Sequence, residues 1–215
     1  MKIKWFGHSC FSITDQSGTQ ILTDPYDESL DYPPLEVSAD LVTVSHGHFD
    51  HNAVDRVSGS PNVVKDSGVY NGVEFEVLET YHDKSRGAER GENRIFHFEF
   101  GGYTFGHFGD LGHMLEKEAL RMLEDLQLAF VPTGGYYTIG PEEAAQLVGK
   151  LPNLQVIIPM HYKTEVLSDS DFPLAGVDEF CQEMEGIHVC SLESSEHHFQ
   201  ELPDETEIWI FQHGK

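Results

Sequence analysis

Ser45-His46-Gly47-His48-Phe49-Asp50-His51 holds the densest concentration of metal-ligand side chains in this 215-residue chain. It packs the imidazoles of His46, His48 and His51 and the carboxylate of Asp50 into one turn. That turn directly follows the apolar run Leu41-Val42-Thr43-Val44, which has the character of a buried strand. Divalent transition metals take neutral imidazole nitrogen and carboxylate oxygen, and a strand end can aim such ligands into a common cleft. Gly47 permits a tight bend, so that His46 and His48 can face one metal while Asp50 and His51 face a second. A histidine-rich surface loop that gathers metal adventitiously would require neither the preceding strand nor the fixed spacing.

Composition narrows the partners. The 37 acidic and 13 basic residues give a formal charge of −24, which repels nucleic-acid phosphates and anionic membrane surfaces at long range. A small-molecule substrate is expected, with no nucleic acid and no membrane; solubility or salt adaptation would also account for the acidity. No apolar run approaches the roughly 20 residues that span a bilayer, and Met1-Lys2-Ile3-Lys4-Trp5 alternates like a strand rather than a signal peptide, so a cytoplasmic protein is expected. Cys10, Cys181 and Cys190 are odd in number and lack a Cys-x-x-Cys pair, which indicates neither a disulfide framework nor a thiolate zinc site. The length fits one compact domain, residues 1–215, and is compatible with a homo-oligomer.

Outward from the central stretch, polar residues recur at strand ends. Ile3 and Trp5 alternate with lysines ahead of a hairpin-like bend at Gly7-His8-Ser9-Cys10-Phe11, and a third strand over 20–23 ends in Asp24-Pro25. His8 and Asp24 there suit either a site or the making of a turn. Residues 26–39 read as a loop that can wall a cleft, and 52–57 as one or two helical turns before a strand at 62–65. The alternation of Val73, Phe75 and Val77 with Glu74 and Glu76 predicts a half-buried strand that delivers His82, a lone histidine compatible with a structural or a ligating role. Residues 83–94 gather Lys84, Arg86, Arg90 and Arg94 between the hinges Gly87 and Gly91, as a mobile lid that grips an anion or as an exposed mixed-charge loop. Strands at 95–100 and 103–108, joined by Gly101-Gly102, lead to Asp110, which can bridge two cations or cap a helix beginning near Met114.

Further on, Leu115, Ala119, Met122, Leu123 and Leu126 share a helical face, and 128–131 is a buried strand. The glycine-rich loop 132–140 lacks the Gly-Lys-Ser/Thr ending of a phosphate-binding loop and instead offers Tyr136 or Tyr137 to a pocket wall. A helix starts at Pro141, and a strand over 154–159 precedes His161-Tyr162-Lys163. A helix at 177–184 and strands near 187–191 and 206–211 complete the chain, with His197, His198 and His213 expected at the surface.

His46-x-His48-x-Asp50-His51 resembles the signature of the metallo-β-lactamase superfamily. Gly7-His8 and Thr23-Asp24-Pro25 are similar to stretches that border the metal cleft in the subgroup of ascorbate phosphate lactonase and N-acyl-phosphatidylethanolamine phospholipase D. His107-x-Gly109-Asp110 and Pro159-Met160-His161-Tyr162 resemble the superfamily's fourth and fifth motifs. The resemblance runs from the first strand to His161 and is weakest beyond Lys163. It implies an α/β fold, a four-layer αββα sandwich of two mixed β-sheets. It also implies His46, His48 and His82 on one metal, Asp50, His51 and His161 on the other, and Asp110 between them, with His107 and His113 orienting ligands from outside.

The expected cofactors are two divalent ions, zinc first, with manganese or iron as alternatives. Such a centre is expected to use a metal-bound hydroxide on a small ester, lactone or phosphodiester, with an anionic substrate favoured by the basic loop. Asp50 then counts among the catalytic residues, with His8 and Tyr162 as positions for a general acid and Arg86, Arg90, Tyr136 and Lys163 as substrate contacts. The alternatives are an iron-dependent oxidoreductase on the same fold, which here would lack a flavin domain or a placed cysteine, and a catalytically silent metal-binding protein, against which the full ligand set argues.

Overall fold

The computed structural model describes residues 1–167 and 173–213. The first five strands, β1 (Lys2–Gly7), β2 (Cys10–Thr14), β3 (Gln20–Thr23), β4 (Leu41–Thr43) and β5 (Asn62–Val64), lie side by side in one sheet. The next six form the second: β6 (Gly68–Tyr70), β7 (Val73–Tyr81), β8 (Glu92–Phe100), β9 (Tyr103–His107), β10 (Leu128–Pro132) and β11 (Val156–Met160). Of the last three, β12 (His188–Ser191) and β14 (Glu207–Ile210) extend the second sheet past β11, while β13 (Glu196–His198) returns to pair with β1. Both sheets are mixed. β1, β2 and β3 are antiparallel and β3, β4 and β5 parallel; β6 to β9 are antiparallel, and β9, β10, β11, β14 and β12 run parallel.

The sheets pack face to face through the side chains that alternation points inward. Ile3 and Trp5 of β1 meet Phe11 and, across the interface, Phe75, Phe98 and Phe130, with the Phe11 and Phe130 rings 4.7 Å apart. β10 and β11 are buried at every residue because both of their faces are covered. On the outer side lie helices α1 (Lys117–Met122), α2 (Pro141–Val148) and α3 (Val177–Glu183), whose apolar faces join Leu126, Ala129, Ile157 and Ile208. The two-sheet sandwich is thus the fold expected from the sequence.

Over the outer face of the first sheet the layer is different. Leu22, Val42 and Val44 are covered by Leu30, Tyr32, Val57 and Leu174 from loops, and among the described residues the helical content there is a single 3-10 turn, Val54–Arg56. Pro33-Pro34 forbids a helix in the covering loop. Tyr26 instead anchors it, donating its hydroxyl to the carbonyls of Phe6 and Pro33 at 2.9 Å each. Two short strands, β6 and β13, carry too little alternation to read from sequence. Two histidines expected at the surface are half-buried instead: His197 of β13 is edge-on to Trp209 at 4.6 Å, and His213, beyond β14, lies 4.9 Å from the Tyr32 ring.

Polar residues stand at the ends of the strands. His8 is placed after β1, Asp24 after β3, residues 45–51 after β4, His82 after β7, Asp110 beyond β9 and His161 after β11. His8, Asp24 and His161 have left-handed backbones, with φ of 52°, 38° and 52°. Non-glycine residues pay for that conformation in strain, which persists where surrounding packing over-determines it and which clusters at functional sites.

Candidate metal centre

These strand ends converge. Ring nitrogens of His46, His48 and His82 lie within 4.8 Å of one another, and so do ligand atoms of His8, Asp50, His51 and His161. Asp110 stands between the two groups. Its Oδ2 is 3.1 Å from Nε2 of both His82 and His161, and its Oδ1 is 3.3 Å from His51 Nε2. One carboxylate therefore touches both clusters, as a bridge between two cations requires.

The neighbours of these groups fix which nitrogen faces inward. His82 Nδ1–H donates to the Tyr137 carbonyl at 3.0 Å, which leaves the Nε2 lone pair toward Asp110. His51 Nδ1–H donates to Asp24 Oδ2 at 2.8 Å, with the same consequence. Asp24 is wholly buried and also accepts the Ser45 N–H at 2.8 Å and the Ser45 hydroxyl at 2.6 Å; Ser45 Oγ in turn accepts from His46 Nδ1 at 2.9 Å. Such outer partners raise ligand basicity and hold ring orientation.

Asn93, which sequence reading passed over, accepts the Asp110 N–H at 2.8 Å and donates to the Phe108 carbonyl at 3.0 Å. Its trace in the sequence is a lone asparagine near the start of the aromatic-rich strand β8, and the structure buries it completely. Gly109 (φ 52°) sits so close that a Cβ would collide with Asn93 Oδ1 and Ser45 Cβ. His107 donates to the Ser9 carbonyl and accepts the Gly109 N–H, and His113 accepts the Tyr81 N–H, so both lie outside the cluster.

Electrostatics favour a cation. His51 Nε2, Asp110 Oδ1, Asp50 Oδ1, His161 Nδ1 and both nitrogens of His8 are buried without a hydrogen-bond partner among the described residues. Each such orphan costs about 1–3 kcal/mol, and together they offer the nitrogen and oxygen donors that divalent metals take. Burial pushes the His46 imidazole down to about 3, assisted by His51, and the His8 imidazole down to about 4, assisted by His161. Burial works against ionisation of Asp50 and Asp110, yet the facing histidines outweigh it and hold both carboxyls below the usual range. His51 and His82 run the other way: burial lowers both, but Asp110, joined by Asp50 at His51, prevails and raises His51 well above and His82 above an ordinary imidazole. The residues present fit a divalent metal centre.

Beside His82 opens a cavity of about 430 Å³ lined by Lys84, Arg90, Gly112, Tyr136, Tyr137 and Glu143, among others. The Arg90 guanidinium lies 5.5 Å over the Tyr137 ring, and Lys84 is paired to Glu143 at 2.6 Å. The loop read as either a lid or an exposed mixed-charge loop is a closed turn: the Asp83 carboxylate accepts the N–H groups of Ser85, Gly87, Glu89 and Arg90 at 2.7–3.0 Å. Burial opposes its ionisation, but those four donors hold it at about 2. Arg90 and Tyr136 thus share one cavity, and Arg86 is in the turn rather than in the lining. Lys163 is half-buried and occupied through its backbone with Ala175. Tyr162 turns away from the cluster into the core between the sheets, 5.7 Å from Trp5, and burial pushes its phenol above the ordinary value, which suits a packing role rather than a proton donor.

Residues 2–161 match the model of the β-lactamase superfamily domain. The chain belongs to the metallo-β-lactamase superfamily. It is 30% identical to a UPF0173 metal-dependent hydrolase of Pelotomaculum thermopropionicum, over 80% of this chain and 88% of the relative. It is 31% identical to another from Pyrobaculum islandicum, with the same coverage. A crystal structure from Thermotoga maritima, a candidate Zn-dependent hydrolase of the superfamily, is 36% identical and superposes with a TM-score of 0.77 over 98% of this chain and 97% of that one. With these relatives the chain is a metal-dependent hydrolase of the superfamily, and the imidazole and carboxylate clusters are where such a metal would bind.

Proposed function

We propose that the centre holds two divalent cations, zinc first with manganese or iron as alternatives, and hydrolyses a small anionic ester, lactone or phosphodiester. The observation behind this reading is Asp110, whose two oxygens reach histidines of both clusters. When bound, paired cations lower the pKa of a shared water and polarise the substrate's carbonyl or phosphoryl oxygen. The chain's own residues do the rest. Asp110 sets the spacing, Asp24 and the Tyr137 carbonyl hold His51 and His82 in the ligating tautomer, and Asp50 offers an unpartnered Oδ1 that can accept a hydrogen bond from the attacking water.

Arg90 supports an anionic substrate. Among the charged groups of the adjacent cavity, Asp83 is consumed by four backbone donors and Lys84 by Glu143, while the guanidinium over Tyr137 has only the exposed Glu89 carboxylate 3.9 Å away, a solvent-screened contact that a substrate carboxylate or phosphate can replace. The formal charge of −24 favours a small substrate over nucleic acid or an anionic membrane, and among the described residues no helix is long and apolar enough to cross a bilayer.

The test is elemental analysis of the purified protein with a screen of lactones and phosphodiesters before and after chelation. About two ions per chain, lost in His48→Ala and Asp110→Ala, with hydrolysis that chelation abolishes and re-addition restores, is the expected result. Retention of no metal, or hydrolysis indifferent to chelation, would overturn the proposal.

A further inference from the structure

His8 is buried, with 3% of its surface exposed, and neither ring nitrogen has a hydrogen-bond partner among the described residues. Its backbone is held at φ 52°, and its carbonyl accepts the Trp5 indole N–H at 3.1 Å, so the core side of the bend is pinned. The ring it presents lies 4.1 Å, centroid to centroid, from His161 and 5.2 Å from His51, and its Nε2 is 3.3 Å from Asp50 Oδ2.

We propose that His8 is a protein ligand of the second cation, joining Asp50, His51, His161 and Asp110. This assignment rests on the two-cation reading above. One donor atom each from His8, Asp50, His51 and His161 lies within a common 4.8 Å, which a single ion can gather. The bland reading is a histidine paired to Asp50, but that contact lacks hydrogen-bond geometry and leaves Asp50 Oδ1 orphaned as well. A strained backbone that delivers an unpartnered imidazole is better explained by a ligand that the ring awaits.

The two cation positions are then unequal. The first has His46, His48, His82 and the shared Asp110, a set that suits four-coordinate zinc. With His8 the second has three nitrogens and two carboxylates, which suits an ion that accepts five or six ligands, such as manganese or iron, and should fill first. His8 is also withdrawn from the candidates for leaving-group acid.

The decisive measurement uses the unmodified full chain loaded with cadmium-113 and labelled with nitrogen-15 histidine, with metal–nitrogen couplings read by NMR. A coupling from His8 to the same cadmium as His51 and His161 is expected. In His8→Asn, checked for folding by its circular dichroism melt as apoprotein, cadmium affinity at that position should fall at least about 100-fold in chelator competition, beyond the ~10–100-fold cost of losing an outer partner. Affinity at the His46, His48 and His82 position should be unchanged.

Absence of a His8 coupling overturns the assignment, whatever the variant does. Full metal content with unchanged affinity and only turnover lost would make His8 a proton donor instead. Uptake of a single cadmium defeats the two-cation reading separately, and His8 is then judged by its own coupling; uptake of none defeats both.

Discussion

Asp24→Asn tests whether a residue that touches no cation controls one. The buried carboxylate faces only donors: the Ser45 N–H on Oδ1, and the Ser45 hydroxyl and His51 Nδ1–H on Oδ2. Burial disfavours its charge, but His107, His51 and Ser45 outweigh that and hold it ionised. Asparagine fits the left-handed backbone at φ 38° without added strain, so the substitution changes the hydrogen bonding and removes the buried charge while leaving the backbone in place. With the amide oxygen toward His51, the amide N–H groups confront the Ser45 N–H, and a buried donor is left unsatisfied at about 1–3 kcal/mol. With the amide nitrogen toward His51, the imidazole must shift its proton to Nε2 and can no longer ligate. Either way the second cation should be held ~10–100-fold more weakly, or about 1.4–2.8 kcal/mol at 1.4 kcal/mol per decade. Chelator competition with the folded variant, set beside the parent protein, measures this. Equal affinity in Asp24→Asn and the parent would refute the argument.

The remaining expectations concern packing, the bridge and pH. Gly109→Ala would drive a methyl into Asn93 and Ser45 from a left-handed backbone, so the melting temperature should fall by the equivalent of at least about 1–3 kcal/mol, with metal content reduced because Asp110 is displaced. Phe130→Ala opens the core between the sheets against Phe11 and should cost about 3–5 kcal/mol in urea unfolding, while the folded fraction keeps its metal affinity. Metal uptake should release protons. His51 is raised in the apoprotein, so below its folded pKa a cation must displace its proton; affinity therefore climbs with pH and levels off above that pKa. The same raised pKa stabilises the apoprotein fully below the ordinary imidazole value, and that contribution fades as pH rises through the folded value. Calorimetric titrations in buffers of different ionisation enthalpy would read the protons released, and a pH-independent affinity would contradict this.

The acidity of the chain and the chemistry of the centre are separable. Surface carboxylates govern solubility and long-range repulsion, whereas Asp24 and Asp110 are buried among imidazoles and kept ionised by them.

By itself the sequence determined the elements whose signal is local. The period-2 alternation of β1 and β7, the proline start of α2 and the apolar runs of β10 and β11 are short-range consequences of burial, so their positions were legible. The ligand types were legible as well, because His46, His48, Asp50 and His51 are four donors in one turn. What the tertiary structure adds is the company of those donors, because His82, Asp110 and His161 come from three other strand ends and meet them by sheet packing. It also decided that Tyr162 faces the core while its neighbour His161 faces the site, that a loop and not helices covers the first sheet, and that Asp83 closes its own loop. Direction of a side chain and distance between remote strands depend on register and packing, and neither leaves a pattern in the order of residues.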